Sequence, residues 1–195
     1  AHYLKDEGYT DVVLNGDAHQ RHADIAGVER HVAKPLFFAI IFGAGAGKCA
    51  AIIKGSQSQG KSIREKLISG IPNFQTLINK AQDAAKLNGW IPGLDGRKVY
   101  SEEPYKAVNY LIQSAEAILM KNTIVQINQA FEDNDIPAKQ LLMYHDECSW
   151  EIDPEYADRC TAIIQHCFAE APKQFGVEIM EAGDIKVGKD YYEVH

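Results

Sequence analysis

The sequence has no run of eighteen or more apolar residues and no signal-like opening. It therefore offers neither a membrane-spanning helix nor a secretory leader, and the expectation is a soluble, intracellular protein without a membrane partner. Cysteine is scarce. The four present, Cys49, Cys148, Cys160 and Cys167, form no CxxC pair, which argues against a zinc knuckle and reads as reduced thiols of a cytosol. No internal repeat or low-complexity linker interrupts the chain. An alternating series of β and α segments is also missing, which argues against a parallel sheet. At 195 residues the chain can form one domain of ordinary size, or two subdomains sharing a core.

Basic charge is deficient overall, with a net charge of −7, yet it is unevenly placed. Residues 21–100 carry 12 Lys/Arg against 5 Asp/Glu, whereas residues 101–195 carry 7 against 18. A basic half beside an acidic half suits a protein that grips a polyanion with one part and holds cations with the other.

The first residues show no clear strand, and Gly8, Gly16 and Gly27 cut them into short pieces. Asp17 is placed to cap a helix over Ala18–Ala26. A helix from Arg30 precedes two shorter ones around Gly55. A further helix follows Ile71-Pro72 and ends at Gly89, with Phe74, Leu77, Ile78, Ala81 and Ala85 at helical spacing. WIPGLDGRKVY from Trp90 reads as a hairpin. The longest helix is expected from about Tyr105 to Phe131, then a strand, tight turn and strand over KQLLMYHDECSWEI. A helix from Pro154 and one or two C-terminal strands complete the expectation.

Several constellations carry chemistry. In RHVAKPLFFAIIFGAGAGK, from Arg30 to Lys48, a helix would align Arg30, Lys34, Phe38 and Phe42 at successive i, i+4 positions. Two cations near a helix N-terminus repel each other and meet the wrong end of the dipole, so an anion such as a triphosphate would offset them. Against this stands a plain amphipathic helix whose Arg and Lys snorkel over a Phe-rich core. His145-Asp146-Glu147 sits between two apolar strands. Carboxylates at such a turn suit a hard cation such as Mg²⁺, while the alternative is an ordinary polar turn. Asn109 and Gln113, four apart on the long helix, can donate to the minor-groove acceptors that every base pair presents, or form an exposed polar stripe. Gly55–Ser62, GSQSQGKS, matches the P-loop pattern in full and keeps a P-loop NTPase in view, although no parallel-sheet series supports it.

Taken in this order, the motifs resemble the C-terminal polymerase region of family A DNA polymerases, and most closely the phage-type enzymes. LNGDAH at Leu14–His19 looks like the segment leading into the fingers, and RHVAKPLFFAIIFGAG resembles the fingers-helix motif. GLDGRKV at Gly93–Val99, Asn109 and LIQSA at Leu111–Ala115 look like the template-primer segment. HDE at His145–Glu147 is similar to the palm metal motif, and Gly188–His195 resembles the family's C-terminus.

The resemblance implies an α/β (α+β) chain. A lead-in over 1–28 would precede helical fingers over 29–100 and a palm with an antiparallel sheet over 101–195, without the thumb or first palm strands. It implies DNA-directed DNA polymerase chemistry in a bacterial or phage-infected cytoplasm, transferring a nucleotide from a dNTP to a primer 3′-hydroxyl with two Mg²⁺ ions. Arg30 and Lys34 would hold the triphosphate, Phe38 would pack on the incoming nucleotide and Phe42 would stack near the template base. Arg97, Asn109, Gln113 and His145 would contact primer-template DNA. Asp146 would ligate metal and Glu147 would lie near the primer end.

Three departures from the family pattern stand out. A DYSxxE-like motif carrying the family's other catalytic Asp is missing, and neither Asp6 nor Asp11 sits in one. The chain alone is thus expected to be inactive, needing a second polypeptide or an N-terminal segment, or to be a non-catalytic DNA-binding remnant. Apolar surface left uncovered would favour self-association. Pro35 interrupts the fingers motif, so the helix is expected to start near Lys34 or to kink there, with Arg30 off the shared face. Phe42 stands where Tyr is usual.

Overall fold

Local signals set the helix boundaries of the first part of the chain. In a computed structural model that describes residues 1–177 and 183–195, the carboxylate of Asp6 accepts the amide of Tyr9 and starts α1, Glu7–Asn15. Asp17 likewise accepts the amide of Gln20 and starts α2, Ala18–Ala26. Each cap satisfies one of the donors that a helix start leaves without an internal partner. The first of these helices was not legible as one, because Gly8 interrupts its pattern.

Then follow α3, Arg30–Ile41, α4, Ala46–Ile52, α5, Gln57–Gly70, and α6, Phe74–Asn88. Strands β1, Trp90–Pro92, and β2, Lys98–Tyr100, form the expected antiparallel hairpin, and the long helix α7 runs from Ala107 to Asp133.

Two compact units divide the chain, Ala1–Ser114 and Ala115–His195. In the first, Leu36 of α3, Leu67 of α5, Ile71, Phe74 of α6, Ile91 of β1 and Val108 of α7 share one buried cluster. Glycine at position 60 lets α4 and α5 pack closely. A Cβ there would lie 2.4 Å from the Ala46 carbonyl oxygen and 2.5 Å from the Ala50 nitrogen.

In the second unit the antiparallel pair β3, Lys139–Tyr144, and β4, Glu147–Glu151, aligns Tyr144 with Glu147 across a tight turn. The hairpin rests on a core of Ile127, Phe131, Ile136, Cys160 and Cys167. It is pinned to α7 by polar bonds as well. The Trp150 Nε1–H donates to Asn128 Oδ1 at 2.7 Å, and Asn128 Nδ2 donates to Gln140 Oε1 at 2.8 Å. The Trp150 ring also meets Phe131 edge-on at 6.0 Å. Helix α8 spans Ala157–Glu170, and α9 is the single turn Tyr191–Val194.

The expected C-terminal strands need correction. Part of that stretch, 178–182, lies outside the described residues. Residues 183–188 show no strand, and Tyr191–Val194 is helical because Asp190 caps it. Among the described residues the architecture is thus mostly helical with two small antiparallel sheets, an α+β fold. No described helix is long and apolar enough to cross a membrane.

Candidate functional site

The face of α3 that the sequence singles out points to solvent. Arg30, Lys34, Phe38 and Phe42 are all exposed, Phe38 by 42% and Phe42 by 50%, while Ala33, Leu36 and Ile40 on the opposite side are buried. Phe38 and Phe42 are therefore not core residues; the α3 ring that packs inward is that of Phe37, 6.0 Å from Phe74. Their rings lie near-parallel at 6.4 Å, and His19 of α2 extends the row with its ring 6.1 Å from Phe38. Two solvent-facing phenyl rings beside two cations make a surface able to take a flat apolar group together with an anion.

The helix neither starts late nor stops at Pro35. It runs through that residue with Arg30 as its first helical position. Pro35 is exposed, so water can satisfy the His31 carbonyl that a residue with an N–H at position 35 would have bonded. Arg30 accordingly stays on the shared face. Its Nε donates to Asp17 Oδ2 at 2.6 Å, and that bond, with the Gln20 amide, holds the Asp17 carboxyl below the usual range. Lys34 makes no ion pair among the described residues, which leaves an uncompensated cation in the middle of the row.

Behind the face lies a small polar cluster. His22 of α2 is buried, its ring 3.9 Å from that of Phe37 of α3, and its Nε2 is 2.7 Å from the Tyr9 hydroxyl of α1. Burial pushes the imidazole down to about 4 and the phenol up to about 12. Burial thus favours a neutral His22, whose Nε2 shares one hydrogen bond with the Tyr9 hydroxyl. The Nδ1 atoms of His19 and His22 are buried without a hydrogen-bond partner among the described residues. Sequence reading missed this cluster. Its available signal was the i, i+3 pair His19/His22 on a well-capped helix.

Arg97, Asn109 and Gln113 also lie in the first unit. Arg97 sits in the β1–β2 hairpin, where its Nη2 is 2.6 Å from Asp95 Oδ2; the ion pair lowers the Asp95 pKa and raises that of Arg97. Asn109 has a buried Oδ1 with no partner among the described residues, and Gln113, one turn on, is exposed.

In the second unit, the turn between β3 and β4 carries His145 and Asp146, both exposed, with Glu147 half-buried at the start of β4. His145 adopts a left-handed φ of 51° and its ring meets that of Tyr144 at 4.4 Å. Asp146 makes no hydrogen bond or ion pair among the described residues. Glu147 does: its Oε1 lies 2.9 Å from His195 Nε2. Next to it the Cys148 thiol is pushed up to about 11 by burial and by the Glu147 charge, which disfavours the thiolate. Among the described residues no group of three or more His, Cys, Asp or Glu is placed to hold a metal ion. The free oxygens of Asp146 fit a hard cation, but as one part of a coordination shell.

GSQSQGKS is not a phosphate loop. Ala50–Ile52 before it is helical rather than a strand, and Ser56 begins α5 through a capping box with Gln59. Gly60 and Lys61 thus lie inside a helix. The glycine is needed for contact with α4, and Lys61 Nζ sits 4.0 Å from Glu65 Oε1. Ser56 thus serves helix capping and Gly60 helix packing, and Lys61 is an exposed helix residue.

Comparison with known proteins agrees with the motif order. The family model described as DNA polymerase family A matches residues 15–193. A DNA-directed DNA polymerase of Enterobacteria phage T3 is 32% identical over an alignment covering 100% of this chain and 31% of the relative. One from Escherichia phage Phieco32 is 26% identical over 96% of this chain and 32% of its own length. The chain thus spans about a third of these relatives. Among solved structures, the POL domain of Pol1 from M. smegmatis, in complex with DNA primer-template and dNTP, matches with a TM-score of 0.79. That likeness, at 20% identity over 88% of this chain and 34% of the other, is one of fold.

Proposed function

The chain belongs to DNA polymerase family A, and from that premise we propose that it supplies the fingers and part of the palm of a DNA-directed DNA polymerase. The lead-in would occupy residues 1–28, the fingers 29–100 and the palm 101–195. The observation that carries this reading is the solvent-facing row Arg30, Lys34, Phe38 and Phe42 on a basic, helical unit. A deoxynucleoside triphosphate uses all four. Lys34 and Arg30 bind its phosphates and neutralise the charge that grows on them during transfer. Phe38 packs on the sugar and base, and Phe42 presents a ring to the templating base.

Arg97, Asn109 and Gln113 contact the duplex. There the side-chain amides of Asn109 and Gln113 donate to the minor-groove acceptors that every base pair presents. His145 lies along the primer backbone, and Glu147 lies near the primer end. Asp146 offers its carboxylate to a divalent cation, Mg²⁺, of which the complete site takes two. When bound, such ions lower the pKa of the attacking hydroxyl and stabilise the leaving pyrophosphate. The family's other catalytic carboxylate, carried on a DYSxxE-like motif that this sequence lacks, would come from another segment or polypeptide, and the chain by itself would be inactive.

Titration with a fluorescent dNTP analogue tests the carrying observation. Loss of one charge-assisted contact worth about 1.5–3 kcal/mol predicts that Lys34→Ala weakens binding by about tenfold or more. Equal affinity of wild type and Lys34→Ala would overturn the assignment of this face.

A further inference from the structure

Glu147 is the second carboxylate of the hairpin, and the fold spends a whole segment on it. In Lys189–His195 the Glu193 amide donates to Asp190 Oδ1 at 3.1 Å, and the Lys189 amide donates to Glu193 Oε2 at 2.8 Å. These two reciprocal bonds start the single turn α9. Gly188 lets the turn close, since a Cβ there would lie 2.8 Å from Glu193 Cβ and 3.0 Å from Val194 Cγ1. On the far side of the turn the His195 ring stacks on Tyr191 at 3.8 Å and 24°, with its Nδ1 3.3 Å from the Tyr191 carbonyl oxygen. Stacking fixes the ring plane. The remaining nitrogen, Nε2, is thereby directed at Glu147 Oε1, 2.9 Å away.

A carboxylate beside Asp146 has several rotamers open to it, and it is half-buried, where an unpaired charge is costly. From this geometry we infer that His195 is the positioning residue of Glu147. Its Nε2–H fixes one carboxylate oxygen and leaves the other to act beside Asp146. The inference rests on reading the hairpin as the carboxylate site of nucleotidyl transfer. It adds a residue outside the HDE motif whose role is orientation rather than contact with substrate. Gly188 and Asp190 act through it, by building the turn that presents the imidazole.

The test has a structural arm and a kinetic arm, both on the full chain. In the structural arm, the side-chain nitrogen resonances of His195 are recorded by long-range ¹H–¹⁵N NMR in wild type and in Glu147→Gln. A shift confined to His195 among the histidines is expected, and unchanged His195 resonances would overturn the inference whatever the activity of the protein. In the kinetic arm, primer extension is measured in a mixture with a polypeptide that carries the upstream palm segment. His195→Ala is expected to lower kcat about tenfold, the scale found for partners that orient a ligating group, with KM for dNTP unchanged. His195→Gln keeps an N–H donor and is expected to recover most of the rate. Gly188→Ala, which leaves Glu147 and His195 themselves unchanged and disturbs the turn at Glu193 and Val194, is expected to behave like His195→Ala.

A wild-type rate in His195→Ala, or equal loss in His195→Ala and His195→Gln, would show a merely structural tail and overturn the inference. Failure of the wild-type mixture to extend in an Asp146-dependent way would overturn the polymerase reading and this inference with it. That result is recognised because it occurs without any change at position 195.

Discussion

Acidification should loosen, through His22, the support of the α3 face proposed to bind nucleotide. This imidazole is 1% exposed, lies against Phe37 and is hydrogen-bonded to the Tyr9 hydroxyl, and burial lowers its pKa from 6.5 to about 4. The neighbouring charges of His19 and Arg21 lower it further, while Asp17 opposes them. Above about pH 6.5 the group is neutral in both folded and unfolded chains and contributes no pH dependence. Between 6.5 and 4 the unfolded chain binds a proton that the folded one does not, so stability falls as pH falls. At about 1.36 kcal/mol per pKa unit, the full loss is on the order of 3 kcal/mol, reached near pH 4.

Urea unfolding of wild type and His22→Gln across about pH 8 to 4 isolates the effect, because the variant removes the titrating group while other groups titrate alike in both. The stability difference between the two proteins should shrink by on the order of 2–3 kcal/mol from neutral pH to pH 4. Parallel stability curves would refute the argument that a neutral, buried His22 joins α1, α2 and α3.

Other consequences follow from the same packing. Gly60→Ala should destabilise the chain by about 1–3 kcal/mol, as overpacking against a helix backbone does; thermal denaturation reads it. Lys61→Ala should leave affinity for the fluorescent dNTP analogue unchanged, because Lys61 lies in a helix beside Glu65, whereas a phosphate-loop lysine could not be removed without loss. Asp17→Ala should lower stability by about 1 kcal/mol through the lost cap and leave Arg30 unpaired, detectable as a steeper salt dependence of analogue binding.

Much of the fold was legible because its signals are local. Asp17 marks the start of α2, Gly89 follows the last residue of α6, and the strand-turn-strand pattern around His145 survives intact. The row on α3 was also legible, since a period of four needs only the sequence. What failed depended on tertiary context. The cost of Pro35 is lowered where the orphaned carbonyl can reach water, and its exposure was not written in the motif. Gly60 and Lys61 carry a phosphate-binding pattern whose meaning turns on whether a strand precedes it, and Ala50–Ile52 is helical instead. Gly8 hid α1, whose Asp6 cap outweighs a single glycine. The His22–Phe37–Tyr9 cluster and the Glu147–His195 pair join residues too far apart in sequence for any periodicity to connect them.

Primer extension by the chain mixed with a separately made polypeptide carrying the family's thumb and first palm strands tests the central claim most directly. The account predicts Mg²⁺-dependent extension in the mixture, none from the chain alone, and none from the mixture once Asp146→Ala is introduced. Extension that persists with Asp146→Ala, or its absence from a mixture in which the two polypeptides demonstrably associate, would contradict it.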